Sequence, residues 1–211
     1  MHFKRPVLSF ILFVFLSFLL SGCFEYEETI IIRQDGAGEM AVHYFGPEDS
    51  DIDVDGFKLN TKDEQKMRDD LARRFSGPGL RLKSYRSHTR GDEQHVNFTV
   101  TFDQFTNLAR ARWWHDQNLE AEQRDGKNYW KRLLKNDDKD WDEDSGGLGE
   151  WVKEKVADEL ADHIKLRFVI ETAGEIVDTN ARDRMSRRAV WRFDGGDLVK
   201  PEGLDMRLTW K

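Results

Sequence analysis

Every second residue from Val96 to Phe102 is large and apolar: Val96, Phe98, Val100 and Phe102, with Asn97, Thr99 and Thr101 between them. A period of two places the apolar set on one side of an extended chain, so this segment is a strand with one buried face and one wet face. Such a strand needs neighbours, and the flanking sequence supplies them. Residues 80–89 and 93–102 read as a hairpin turning at Arg90-Gly91-Asp92. Residues 25–34, with Ile30, Ile31 and Ile32 at their centre, turn at Asp35-Gly36-Ala37-Gly38 into residues 39–45, where Met40, Val42 and Tyr44 share a face. Glycine accepts the positive φ that tight hairpins require. Residues 119–123 and 129–134 suggest a third hairpin around Asp125-Gly126, and single strands follow at 165–171, 188–193 and 204–210.

Helical periodicity is sparser. Thr61 with Glu64 three places later makes a capping-box pattern, and Met67, Leu71 and Phe75 then recur every four residues until Gly77-Pro78-Gly79. Phe105, Leu108 and Ala109 suggest a short helix, and Trp151, Val152, Val156 and Leu160 mark another over residues 150–163. Strand pairs separated by helices predict an α+β fold: an antiparallel sheet of hairpins packed against two or three helices. One domain is expected over residues 23–211. Residues 136–149, rich in Asp and Gly, read as a flexible acidic loop.

The N-terminus carries a different pattern. Lys4 and Arg5 precede a run from Val7 to Leu20 that is apolar except for Ser9 and Ser17. The run is short for a membrane span, which needs roughly 20 apolar residues, and suits the core of an export signal. It ends in Leu20-Ser21-Gly22-Cys23, which resembles the lipobox of bacterial lipoproteins. That resemblance implies removal of residues 1–22 as a signal peptide and attachment of diacylglycerol, with palmitate-type chains, to the Cys23 thiol. Cys23 is the single cysteine in 211 residues, so no intrachain disulfide can form. Two or three acyl chains hold a protein stably, each buried methylene contributing about 0.8 kcal/mol. Phe24 follows where Asp would favour the inner membrane. The expected address is therefore the cell envelope, with the outer membrane favoured if the organism is Gram-negative. No second apolar run follows Cys23, so the lipid is the expected anchor.

With Lys4 and Arg5 removed, 31 basic residues face 40 acidic ones, a net charge of −9. Such a surface repels nucleic acid and anionic headgroups at long range. Aromatic residues, including seven Trp, make up 12% of the chain, enough to build a core despite the charge.

In the C-terminal third, Leu166-Arg167-Phe168-Val169-Ile170 leads to Gly174-Glu175-Ile176-Val177-Asp178-Thr179-Asn180-Ala181, then Ala189-Val190-Trp191-Arg192-Phe193 and Leu208-Thr209-Trp210. Together with the hairpin that begins beside the cysteine, this resembles the LppM-like group of bacterial lipoproteins, over residues 23–45 and 165–210. Ala173 stands where that pattern usually has Pro, and residues 103–150 match nothing in it. No apolar run within residues 24–211 matches the C-terminal membrane helix that many members carry. The resemblance implies an α+β envelope domain with no established catalysis and brings no catalytic residues. On physical grounds Gly174 supplies a turn, Asn180 caps a loop or takes a left-handed backbone, and Trp191 anchors the core.

Few motifs suggest chemistry. Asp51-x-Asp53-x-Asp55-Gly56 copies the first half of an EF-hand loop, with carboxylates at alternate positions before a sharp glycine turn. Calcium is the cation it would take. Lys62, however, stands where a bidentate Glu belongs, which favours an acidic solvated loop. Trp113 and Trp114, beside Arg110 and Arg112, suit either a buried helix end or an interface with membrane, sugar or partner. Histidines 43, 88, 95, 115 and 163 have no zinc spacing, although His88 and His95 would face each other across a hairpin. No nucleophile elbow, P-loop or dinucleotide-binding glycine pattern occurs. The expectation is a non-enzymatic binding or assembly module without cofactor, taking an envelope protein or a lipid. The alternatives are a membrane-tethered hydrolase using a carboxylate pair, and a calcium-stabilised structural lipoprotein.

Overall fold

The computed structural model describes residues 24–47, 53–54, 57–58, 64–111, 118–134, 164–198, 200 and 202–211. The strands are β1 (Phe24–Ile32), β2 (Gly38–Pro47), β3 (Asp53–Val54), β4 (Phe57–Lys58), β5 (Leu80–Arg90), β6 (Glu93–Phe102) and β7 (Leu119–Arg124). They continue with β8 (Lys127–Leu134), β9 (Ile164–Thr172), β10 (Ile176–Thr179), β11 (Asp183–Met185), β12 (Arg188–Asp194) and β13 (Leu204–Trp210). The helical segments are α1 (Glu64–Arg74), a 3-10 turn (Phe105–Arg110) and α2 (Gly195–Leu198).

Seven strands form one sheet in the order β11-β12-β9-β1-β2-β6-β5, and four form a second in the order β10-β13-β8-β7; β3 and β4 pair by themselves. The three expected hairpins are present as β1–β2, β5–β6 and β7–β8. The expected α+β layering is not. The described chain is mostly β, and its helical segments are few and short. Alternation shows that one face of a strand is buried, but not what buries it. Here much of the cover is a second sheet. Trp130 of β8 lies 5.9 Å, ring to ring, from Trp191 of β12, and β8 also reaches β1 through an ion pair. The sheet is not wholly antiparallel either: β1 and β9 run parallel, from Phe24↔Ile164 to Ile32↔Thr172.

Among the described residues, α1 covers the β5–β6 half of the large sheet. Met67 and Leu71 of α1 are buried, and Phe75 just beyond it packs against Phe98 of β6 at 6.1 Å. Phe105 of the 3-10 turn meets the Trp210 ring edge-on at 4.9 Å, while its backbone N–H donates to the Gly36 carbonyl at 2.8 Å. The buried residues of both sheets and of these segments form one apolar cluster. Full burial of a large aliphatic or aromatic side chain stabilises by about 1.5–3 kcal/mol, so this cluster dominates stability.

The C-terminal motif residues are placed by close contact. Trp191 is buried, as expected of a core anchor. Its indole N–H donates to Asn180 Oδ1 at 2.9 Å. The same oxygen accepts the Arg207 backbone N–H at 2.8 Å, and Asn180 Nδ2 donates to the Asp205 carbonyl at 2.9 Å. Asn180 thus clamps β13 to the loop after β10. It is not among the residues of positive φ, so its side-chain bonds, not a left-handed backbone, account for its place. At Gly174 an added Cβ would lie 1.3 Å from the Lys211 carbonyl oxygen, so it is a point of close backbone approach.

Candidate functional site

Two clusters of polar side chains stand out among the described residues, one between the sheets and one on the other face of the larger sheet. The inner cluster follows from strand parity. Phe24, Tyr26, Glu28, Ile30 and Ile32 share the inward side of β1, so Glu28 enters the core with its apolar neighbours. Trp130, Arg132 and Leu134 share a side of β8 in the same way. Arg132 Nη1 lies 3.2 and 3.0 Å from the two Glu28 oxygens, and both side chains are 2% exposed. The Tyr26 hydroxyl donates to Glu28 at 2.9 Å, and the guanidinium carbon sits 5.1 Å from the centre of the Phe168 ring. Burial, and then the neighbouring Glu28 charge, hold the Tyr26 hydroxyl well above the usual tyrosine range.

An acid/base hydrolase needs two carboxyl groups whose protonation can differ. Among the described residues the core holds one buried carboxylate, and it is bound to a guanidinium. The trio therefore orients the sheets on each other and offers no acid/base pair.

The outer cluster lies on the opposite face of the larger sheet. Glu25, Phe45, His95 and His88 form one cross-strand row over β1, β2, β6 and β5. His88 and His95 stack with ring centres 5.0 Å apart and planes within 11°, so the facing pair expected from sequence does form. His43 stacks on the other side of His95 at 5.8 Å, also within 11°, and Phe45 lies 5.1 Å from His95. Glu93 Oε2 is 3.6 Å from His95 Nε2. Burial, and next the neighbouring His95, lower the His43 pKa, while Glu27 and Glu25 oppose the shift. Parallel rings direct their nitrogens past one another. Among the described residues no group of three or more His, Cys, Asp or Glu is placed to hold a metal.

The residues singled out from sequence are mostly elsewhere. Cys23, Asp51, Asp55, Trp113 and Trp114 lie outside the described residues, as do residues 136–149 and the helix expected over 150–163. Asp53 lies in the two-residue strand β3, paired with Lys58 of β4. Glu28 and Arg132 were not expected. The signal for both was a charged residue in the apolar register of a strand, one acidic and one basic.

No protein-family model matches the chain, and no curated protein matches it. Among solved structures, the folded domain of LppM from Mycobacterium tuberculosis, determined by NMR, is similar over 90% of this chain and 91% of that one. The TM-score is 0.50 at 10% sequence identity. The chain thus has an LppM-like fold.

Proposed function

We propose that this protein is a lipid-anchored lipoprotein of the bacterial cell envelope, and a member of the LppM-like group, that works as a non-catalytic binding or assembly module. The observation that carries the reading is the position of the first described strand. Phe24, the residue after the lipobox cysteine, is already the first residue of β1, is buried, and pairs with Ile164 in the middle of the seven-stranded sheet. A signal peptide cut after Gly22 would leave a domain with no spare linker, held directly against the bilayer by its central strand. The likeness of the fold to the LppM folded domain fits the same reading. Among the described residues no helix is long and apolar enough to cross a membrane. The binding role is supported by the absence of catalytic motifs in the sequence and by a buried carboxylate committed to Arg132. An envelope protein or an envelope lipid is the expected ligand, and the outer membrane the expected site in a Gram-negative host.

Mass spectrometry of the N-terminal peptide from the membrane-extracted protein tests the anchor. The expected result is a chain beginning at an acylated Cys23, with Cys23→Ser remaining at full length. A free thiol on the mature protein, or cleavage at another bond, would overturn it. Native mass spectrometry and crosslinking of the same preparation test the role: a discrete lipid adduct or one crosslinked envelope protein is expected, and a bare, uncrosslinked mass would count against it.

A further inference from the structure

When glycine follows aspartate, the peptide nitrogen between them can attack the aspartate's own side-chain carboxyl, because glycine has no Cβ to shield it. The chain holds four such steps: Asp35–Gly36, Asp55–Gly56, Asp125–Gly126 and Asp194–Gly195. Asp55 and Gly56 lie outside the described residues. The other three differ in how tightly the reacting groups are held.

Asp35 Oδ1 accepts the Ala37 backbone N–H at 3.0 Å, and the Gly36 N–H donates to the Arg33 carbonyl at 3.0 Å. Gln104 Nε2 donates to the Asp35 carbonyl at 2.9 Å. Carboxylate, attacking nitrogen and peptide are thus all engaged. Asp194 Oδ1 accepts the Asp197 N–H at 3.0 Å, and the Asp194 N–H donates to Asp197 Oδ2 at 3.2 Å. That reciprocal pair holds the Asp194 carboxylate at the start of α2.

Asp125 and Gly126 are the two residues of the turn between β7 and β8, which closes at Arg124↔Lys127. Both are exposed, with φ of 51° and 69°. Positive φ at both central positions is the geometry of a tight hairpin, and it is uncommon for a residue with a Cβ. The Asp125 carboxylate has no hydrogen-bond or ion-pair partner. A Cβ built on Gly126 would meet nothing within 4 Å, so the turn stands clear of the rest of the fold. β7 is also the edge of the smaller sheet, with β8 as its one neighbour. Such a tip opens locally at little cost.

We propose that Asp125–Gly126 is a site of spontaneous isoaspartate formation, and that their hydrogen bonds protect Asp35 and Asp194 from the same reaction. The Gly126 nitrogen bonds to Asp125 Cγ. Its proton and a carboxyl hydroxyl leave together as water, and a cyclic succinimide remains. Water then adds to one of the ring carbonyls and breaks its bond to nitrogen. Opening at Cγ restores aspartate. Opening at the Asp125 main-chain carbonyl leaves Gly126 joined through Cγ, with the main-chain carboxylate free. Water is the sole co-reactant, and mass and charge end unchanged. The backbone gains one carbon, in a turn that has only two residues to absorb it.

The test incubates the full-length protein for weeks in neutral buffer. Peptides are then mapped by electron-transfer fragmentation, which splits isoaspartate between Cα and Cβ. Isoaspartate is expected at residue 125 at least roughly tenfold faster than at 35 or 194, the factor set by one or two hydrogen bonds that must break before attack. Asp125→Glu, which would have to close a larger and slower ring, removes the signal there and leaves the other two sites as they were. In guanidinium chloride the three dipeptides are equally free, and their rates converge. No isoaspartate at 125, equal or faster accumulation at 35 or 194 in the folded protein, or a preference that persists on unfolding would overturn the inference.

Discussion

Arg132 of β8 and Glu28 of β1 meet between the two sheets, 104 residues apart in the chain, with one guanidinium nitrogen bound to both carboxylate oxygens. Each charge is buried, and each is compensated by the other. Removing one partner leaves an uncompensated buried ion, at a cost of about 3–5 kcal/mol, whereas replacing both by apolar groups of similar volume is often neutral or stabilising. Glu28→Leu and Arg132→Leu should each lower the urea midpoint strongly, and the double variant should recover most of the loss. A double variant as weak as the sum of the singles would mean that the two residues act separately.

Gly38 is fixed by sterics. An added Cβ would lie 2.0 Å from the Ile31 carbonyl oxygen and 2.4 Å from the Phe102 ring. Gly38→Ala is expected to cost on the order of 1–3 kcal/mol, the range for overpacked cores. In Gly38→Ala/Phe102→Leu the ring is gone but the carbonyl contact stays, so thermal denaturation should show only partial rescue. Complete rescue would place the whole strain at Phe102.

His43 gives stability a pH slope of known sign. Its folded pKa lies below the ordinary 6.5 because burial, and then His95, disfavour the imidazolium. The unfolded chain therefore binds the proton more readily, and stability rises with pH in this range. The contribution is fully present above the unfolded value and declines as pH falls through it toward the lowered folded value. Melting temperatures measured from about pH 7.5 to about pH 5.5, above the carboxylate range, should fall with acidification, and less so in His43→Gln. An unchanged slope in that variant would reject the assignment.

Asn180 ties Trp191 to β13 through three hydrogen bonds. Asn180→Ala leaves the buried indole without its acceptor, at a cost of about 1–3 kcal/mol. Asn180→Asp keeps the accepting oxygen and should cost less. Tryptophan fluorescence during denaturant unfolding gives the stability of both variants; equal losses would assign the effect to the Nδ2 donation.

The hairpins were legible because each is local: an alternating run, a turn with glycine, and a second alternating run. The partners of those hairpins were not. β1 pairs with β9 across 140 residues of chain, and nothing in either strand specifies the other beyond an apolar register. The same limit hid the second sheet, since β7, β8 and β13 look like any half-buried strands. β10 and β11 are short and polar, with too few turns of alternation to register as strands. In the inner cluster, Glu28 and Arg132 each break the apolar side of a strand; an acid and a base misplaced in the same register are a detectable pair. The histidine stack was half legible. His88 and His95 belong to one hairpin, but His43 joins them only through the β2–β6 pairing.

The parallel pairing of β1 with β9 also constrains the order in which the molecule can be made. A chain that emerges N-terminus first exposes β1 and β2 long before Ile164–Thr172 exists beside them. One edge of the centre strand must stay open over that interval, a ready template for mispairing. Contacts of such wide separation slow closure of a sheet, because the loop entropy is lost before the contact forms. The waiting β1–β2 hairpin is therefore where a holding chaperone would do most to protect the nascent protein from aggregation.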